Sequence, residues 1–204
     1  MKWRVRQSPD GEENTMDVKG TLKKIPKLEG ERANLRGMKE SDAEDLFEYY
    51  SNEKVYRYLD WYGPKSIQHA KEVIASWNKG FIENWILRFG IAERFTDALI
   101  GTIFLNNFES RRAEIGYELS EDFWGKGIMS EAMDKVLQVG FEELGLLRIQ
   151  AFVCVENEAS KNLLLKHNFK HEGSLRKYEC HEVTGICKDM EVFGLIREEF
   201  EIIF

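Results

Sequence analysis

The chain has 204 residues, of which 43% are hydrophobic, and carries a formal net charge of −7. That length suits one domain, and the apolar share is that of a globular protein. The acidic balance excludes a nonspecific nucleic-acid binder, which needs concentrated Lys and Arg. No apolar run approaches the roughly 18–20 residues that span a bilayer, so no membrane partner is expected.

The basic start, residues 1–7, lacks the apolar stretch of a secretory leader. Cys154, Cys180 and Cys187 are odd in number and lack C-x-x-C spacing. They read as reduced thiols of a cytoplasmic protein, not as a disulfide framework or a zinc site. His69, His167, His171 and His181 show no metal spacing, so no metal is expected.

Residues 1–27 are rich in Lys, Glu, Asp, Gly and Pro without a clear period, which predicts a flexible arm, with Met16 as an alternative start. Residues 28–204 then form one domain. A strand is expected over 33–38. Ser41 or Asp42 caps a helix to about residue 51, with Ala43, Leu46, Phe47 and Tyr50 on one face. An aromatic loop over 56–64 closes at Gly63-Pro64. Ser66 caps a second helix to about residue 78, with Ala70, Val73, Ile74 and Trp77 as its stripe. Three strands follow, over 84–93, 98–106 and 111–119, joined by turns at Thr96-Asp97 and at 107–110.

The next segment is Phe123-Trp124-Gly125-Lys126-Gly127-Ile128-Met129-Ser130. Behind it Met129, Ala132, Met133, Val136, Leu137, Gly140, Phe141 and Leu144 repeat at helical spacing. Two glycines between a strand and a helix let the amides of Gly125, Lys126, Gly127 and Ile128 converge, and the helix dipole adds positive charge there. That makes a seat for phosphate or pyrophosphate. The alternative is a tight turn needing glycine for its dihedrals alone. Neither a Walker loop nor a dinucleotide fingerprint fits the spacing. A strand over 147–155, a helix over 157–168, and strands over 170–181 and 185–195 end the order β-α-α-β-β-β-α-β-α-β-β.

That order, the Trp-Gly-Lys-Gly-Ile turn, Glu114-Ile115-Gly116-Tyr117 before it and Val155-Glu156-Asn157-Glu158-Ala159-Ser160 after it resemble the GCN5-related N-acetyltransferases (GNAT). The branch most resembled modifies the N-termini of ribosomal proteins. The resemblance covers residues 28–197. It implies an α+β fold: a central mixed, mostly antiparallel sheet of about seven strands with a splayed parallel pair, flanked by about four helices. It also implies acetyl-CoA as co-substrate and a primary amine as acceptor, either a protein N-terminus or a small molecule such as a polyamine or an antibiotic. A non-catalytic acyl-CoA-binding domain is the rival from another class. A monomer or homodimer is expected.

The same resemblance implies site residues. Glu118 and Leu119 would lie beside the pantetheine. Trp124, Gly125, Lys126, Gly127, Ile128, Met129 and Ser130 would form the pyrophosphate turn. Met129 stands where members of the family often carry Gly or Ala, which would cost some backbone access. Ser160 is the first choice of acid for the departing thiolate, with Asn157 beside it as a cofactor or strand-positioning residue. Asn157 and Ser160 could equally cap the helix. Glu179 is the first choice of base, Glu114 the next. Tyr178 is the alternative acid, although strand alternation points it away from Glu179. Cys154 reads as core, and the aromatics of 56–62 either floor the acceptor pocket or pack on the sheet.

Overall fold

The computed structural model describes residues 16–200. Seven strands form one sheet in the order β1-β2-β3-β4-β5-β7-β6. They are β1 (Ala33–Arg36), β2 (Ile86–Glu93), β3 (Leu99–Glu109), β4 (Arg112–Leu119), β5 (Arg148–Cys154), β6 (Lys170–Cys180) and β7 (Cys187–Ile196). Every neighbouring pair is antiparallel except β4–β5.

The helices are α1 (Val18–Leu22), α2 (Ala43–Tyr50), α3 (Glu53–Tyr56), α4 (Ile67–Ile82), α5 (Ile128–Gln138), α6 (Glu158–Lys166) and α7 (Arg197–Phe200). Ile86, Leu87, Phe89 and Ile91 of β2 are all fully or nearly fully buried, because helices cover both faces of the sheet. One core joins α5 to Leu87, Ile103 and Leu105. The other joins α2 and α4 through Leu46, Ile74 and Trp77.

The feature that positions the site is a divergence of two strands. β4 and β5 pair only at Arg112↔Arg148, Ala113↔Ile149 and Glu114↔Gln150. Beyond that point β4 stays paired with β3 as far as Leu119, and β5 stays paired with β7 as far as Cys154. Each strand follows its other neighbour, so sheet twist opens a notch between them.

Several expectations are corrected. Residues 1–15 of the expected arm lie outside the described residues. Residues 16–27 are folded: Asp17 caps α1, Val18 is wholly buried, and Met16, Leu22 and Ile25 pack on the main core. The polar composition hid these few apolar anchors. Cys180 and Cys187 are joined by a disulfide instead of standing as free thiols, because the β6–β7 register sets them directly opposite each other. Only Cys154 is free, and it is buried as expected.

Capping also differs at α2. Asp42 makes no side-chain cap; its carboxylate accepts from the amide of Lys39 and binds the buried Arg36 at 2.8 and 2.9 Å. Ser66 caps α4 as expected, accepting from His69 N at 3.1 Å, but the helix runs one turn further than its stripe suggested. α3 was not expected; Asn52 caps it inside what reads as loop.

Candidate active site

Beyond β4 a short 3-10 turn, Glu121–Phe123, reverses the chain towards α5. Trp124 Nε1 donates to the Leu119 carbonyl at 2.8 Å and pins the turn to the strand end. Gly125 and Gly127 have φ of 71° and 75°, which a side chain strains to reach. Gly127 is the N-cap of α5 and supplies no side-chain acceptor. The amides of Gly125, Lys126, Gly127 and Ile128 donate to no protein acceptor among the described residues. Four free donors at a helix N-terminus form an anion seat.

Basic groups stand around this seat. A Cβ on Gly127 would come 3.4 Å from Arg32 Nε. The sequence reading missed Arg32, which arrives from the segment before β1. Glu131, in the first turn of α5, draws it in by accepting from the amides of Glu31 and Arg32 and pairing with the Arg32 guanidinium at 3.7 Å. Lys166, also missed, donates to Ser130 Oγ at 2.9 Å. The same hydroxyl meets His167 Nε2 at 2.9 Å, and His167 Nδ1 meets Asp134 at 2.9 Å. Burial lowers the pKa of His167 against the opposing pull of Asp134. Ser130 thus ties α5 to α6. Met129 packs against the main core.

The notch between β4 and β5 holds a cavity of about 230 Å³, lined by β4 up to Glu118, just before the turn in sequence. Glu118, Asn157, Ser160 and Glu179 all line it, so β4, α6 and β6 bring four of the expected site residues together. Leu119 does not line it; that side chain is in the core. Lys126 Nζ lies over the Phe123 ring at 5.1 Å, near the turn.

Each lining residue is held differently. Asn157 caps α6, its Oδ1 accepting from Ser160 N at 3.2 Å, so the capping alternative is realised. Ser160 Oγ lies 2.7 Å from Tyr117 Oη, a partner absent from the sequence reading. Burial raises the pKa of Tyr117, so the phenol stays protonated through neutral pH. Glu118 is engaged inside a buried network. Thr102 Oγ1 donates to it at 2.5 Å and Arg88 Nη1 at 3.2 Å, with Arg88 stacked between the rings of Trp77 and Phe104.

Glu179 follows an irregularity in β6, where the register with β7 shifts between Leu175 and Glu179 and Lys177 takes φ 49°. It faces the cavity, while Tyr178 is half exposed and stacks on Phe152. Burial, reinforced by the carboxylates of Asp60 and Glu114, pushes the Glu179 pKa up to about 7. A carboxylate with that pKa can take a proton at neutral pH and give it up again. Tyr58 and Trp61 of the aromatic loop line the cavity, while Tyr62 packs at a tilt against His181. Among the described residues no cluster of His, Cys, Asp or Glu could hold a metal.

Comparison with known proteins gives this arrangement its family. Residues 32–170 match the model of the acetyltransferase (GNAT) domain. The uncharacterized N-acetyltransferase YoaA of Bacillus subtilis is 40% identical over 175 residues, covering 85% of this chain and 98% of that protein. The ribosomal-protein-serine acetyltransferase of Escherichia coli is 37% identical over 86 residues, 41% of this chain and 48% of that protein. In fold, the chain superposes with a TM-score of 0.75 on RimL, a ribosomal L7/L12 alpha-N-protein acetyltransferase in complex with coenzyme A. That match has 22% identity and covers 85% of this chain and 99% of the other. The chain therefore belongs to the GNAT acetyltransferases, whose members take the acetyl group from acetyl-CoA, and it is an N-acetyltransferase.

Proposed function

We propose that the protein moves an acetyl group from acetyl-CoA to a primary amine by direct attack in a ternary complex, with Glu179 as base and Ser160 as acid. The observation that carries this reading is the meeting of Glu179 with the Ser160–Tyr117 hydroxyl pair in one notch beside four free amides. The amides of residues 125–128, with Arg32 and Lys166 at the rim, would hold the coenzyme's diphosphate. The unpaired edge of β4 beyond Glu114 would receive the pantetheine as an added strand.

In the transfer a C–N bond forms as the thioester C–S bond breaks. The amine proton goes to Glu179. Ser160 Oγ–H protonates the departing sulfur and is resupplied by Tyr117, which regains its proton from protonated Glu179 through solvent, so coenzyme A leaves as its thiol and the groups return to their starting states. An alkyl amine near pKa 10 is mostly protonated at neutral pH, so a base poised at about 7 supplies what the acceptor lacks. Glu118 is the less suitable base, because Arg88 and Thr102 already hold its charge.

The names of the relatives support a protein N-terminus as acceptor. The test is thiol release from acetyl-CoA against a panel of peptides and small amines. Release that requires both partners is expected. Binding of acetyl-CoA with no turnover on any amine would instead identify an acyl-CoA-binding regulator.

A further inference from the structure

Ser130 stands in the first turn of α5, and side chains of a helix lean towards its start, so the hydroxyl lies on the side of the free amides. Two groups from the end of α6 close on it. Lys166 Nζ donates to Oγ at 2.9 Å, and His167 Nε2 lies 2.9 Å from the same atom. His167 is buried, and Asp134, one turn further along α5, meets its Nδ1 at 2.9 Å.

This chain of bonds fixes where each proton sits. A carboxylate only accepts, so Nδ1 carries the ring hydrogen and donates it to Asp134. Nε2 of the neutral ring is then a bare acceptor, and the Ser130 O–H donates to it while Oγ accepts from Lys166. In that state the hydroxyl hydrogen is turned away from the anion seat. In a charged ring both nitrogens donate. Nε2–H then donates to Oγ, and the hydroxyl hydrogen is released towards the seat.

The surroundings make the neutral ring the resting form. Burial and the Lys166 ammonium on the same helix both lower the pKa of His167, and Asp134 on α5 pulls the other way. The positive end of α5 adds to the opposition. Arg32, at the rim of the seat, is paired with Glu131 at 3.7 Å. An anion in the seat offsets the positive charge of Lys166 and of the helix end, and so favours the imidazolium.

We infer that binding of coenzyme A is coupled to uptake of a proton by His167, whose charged ring frees the Ser130 hydroxyl to donate to the diphosphate. This rests on the cofactor site proposed above and adds a linked proton to it. His167 is a positioning residue, since it acts through Ser130 and touches neither the diphosphate nor the reacting atoms.

Calorimetry of the full chain with dephospho-CoA, which lacks the titrating 3′-phosphate, tests this at pH 8 and pH 6, together with proton NMR of the histidine rings. Affinity should rise at least about threefold from pH 8 to pH 6. The His167 ring should titrate at least about one pH unit higher in the complex than in the free protein, a measurement that needs no variant. His167→Gln, which keeps a donor and an acceptor without a titration, should bind alike at both pH values. Ser130→Ala should lose more affinity at pH 6 than at pH 8. Wild-type affinity that is flat with pH, a His167 titration unmoved by the ligand, a gain that persists in His167→Gln, or an equal loss at both pH values in Ser130→Ala would overturn the inference and leave the cofactor site standing. No heat with dephospho-CoA or with CoA at either pH would remove the cofactor site, and the linked proton with it.

Discussion

At the scale of single residues, the chemistry depends on groups whose neighbours keep them in a useful protonation state. Tyr117 is the clearest case, since burial holds its phenol protonated and the Ser160 hydroxyl lies 2.7 Å away. Tyr117→Phe should lower kcat about tenfold while leaving the KM for acetyl-CoA close to wild type, because Ser160 remains to protonate the sulfur more slowly. Steady-state kinetics with acetyl-CoA varied reads both numbers. An unchanged kcat would take Tyr117 out of the proton path. Ser160 and Glu179 could be named from sequence only through the family resemblance. Tyr117 could not, because its role depends on β4 and α6 meeting across the notch. Arg32 escaped for the same reason, since it is placed by the tether to Glu131.

At the scale of elements, the turn between β4 and α5 is the proposed seat of the cofactor's diphosphate. Its glycines adopt left-handed φ, and its amides are free because Gly127 ends the extended chain without capping the helix. Gly127→Asp combines backbone strain at φ 75° with a negative charge aimed at the anion seat. CoA affinity should fall at least about 100-fold, or roughly 3 kcal/mol, with α5 still folded by circular dichroism. Calorimetry that finds wild-type affinity would remove the turn from the cofactor site. This element was legible in the sequence, since glycine spacing and an amphipathic run are local signals. The Cys180–Cys187 pair and the folding of residues 16–27 were not. One depends on the β6–β7 register, the other on isolated apolar residues such as Val18 finding a remote core.

At the scale of the molecule, the proposed base is a carboxylate that its buried surroundings destabilise. In the native state Glu179 titrates near 7, against an ordinary value of 4.5. Because the folded pKa is raised, the native state binds the proton more tightly than the unfolded chain does. Stability is therefore favoured at low pH and declines as pH climbs from about 4.5 to about 7, by up to about 3 kcal/mol. Glu179→Gln should therefore be more stable than wild type at pH 8 and nearly equal to it at pH 4, as read by denaturant unfolding. A gap that grows on acidification would contradict the raised pKa. The seven strands were readable in chain order from alternation and turn residues, whereas the divergence of β4 from β5 was expected only through the family resemblance, because it is a property of twist across the whole sheet. The most direct test of the account is the pH dependence of kcat for wild type and Glu179→Gln on one acceptor. The wild-type rate should rise through an ionisation near 7, and the variant should lose that ionisation along with about 100-fold of the rate at pH 7 while binding CoA normally. A variant with the wild-type profile would show that another group takes the proton.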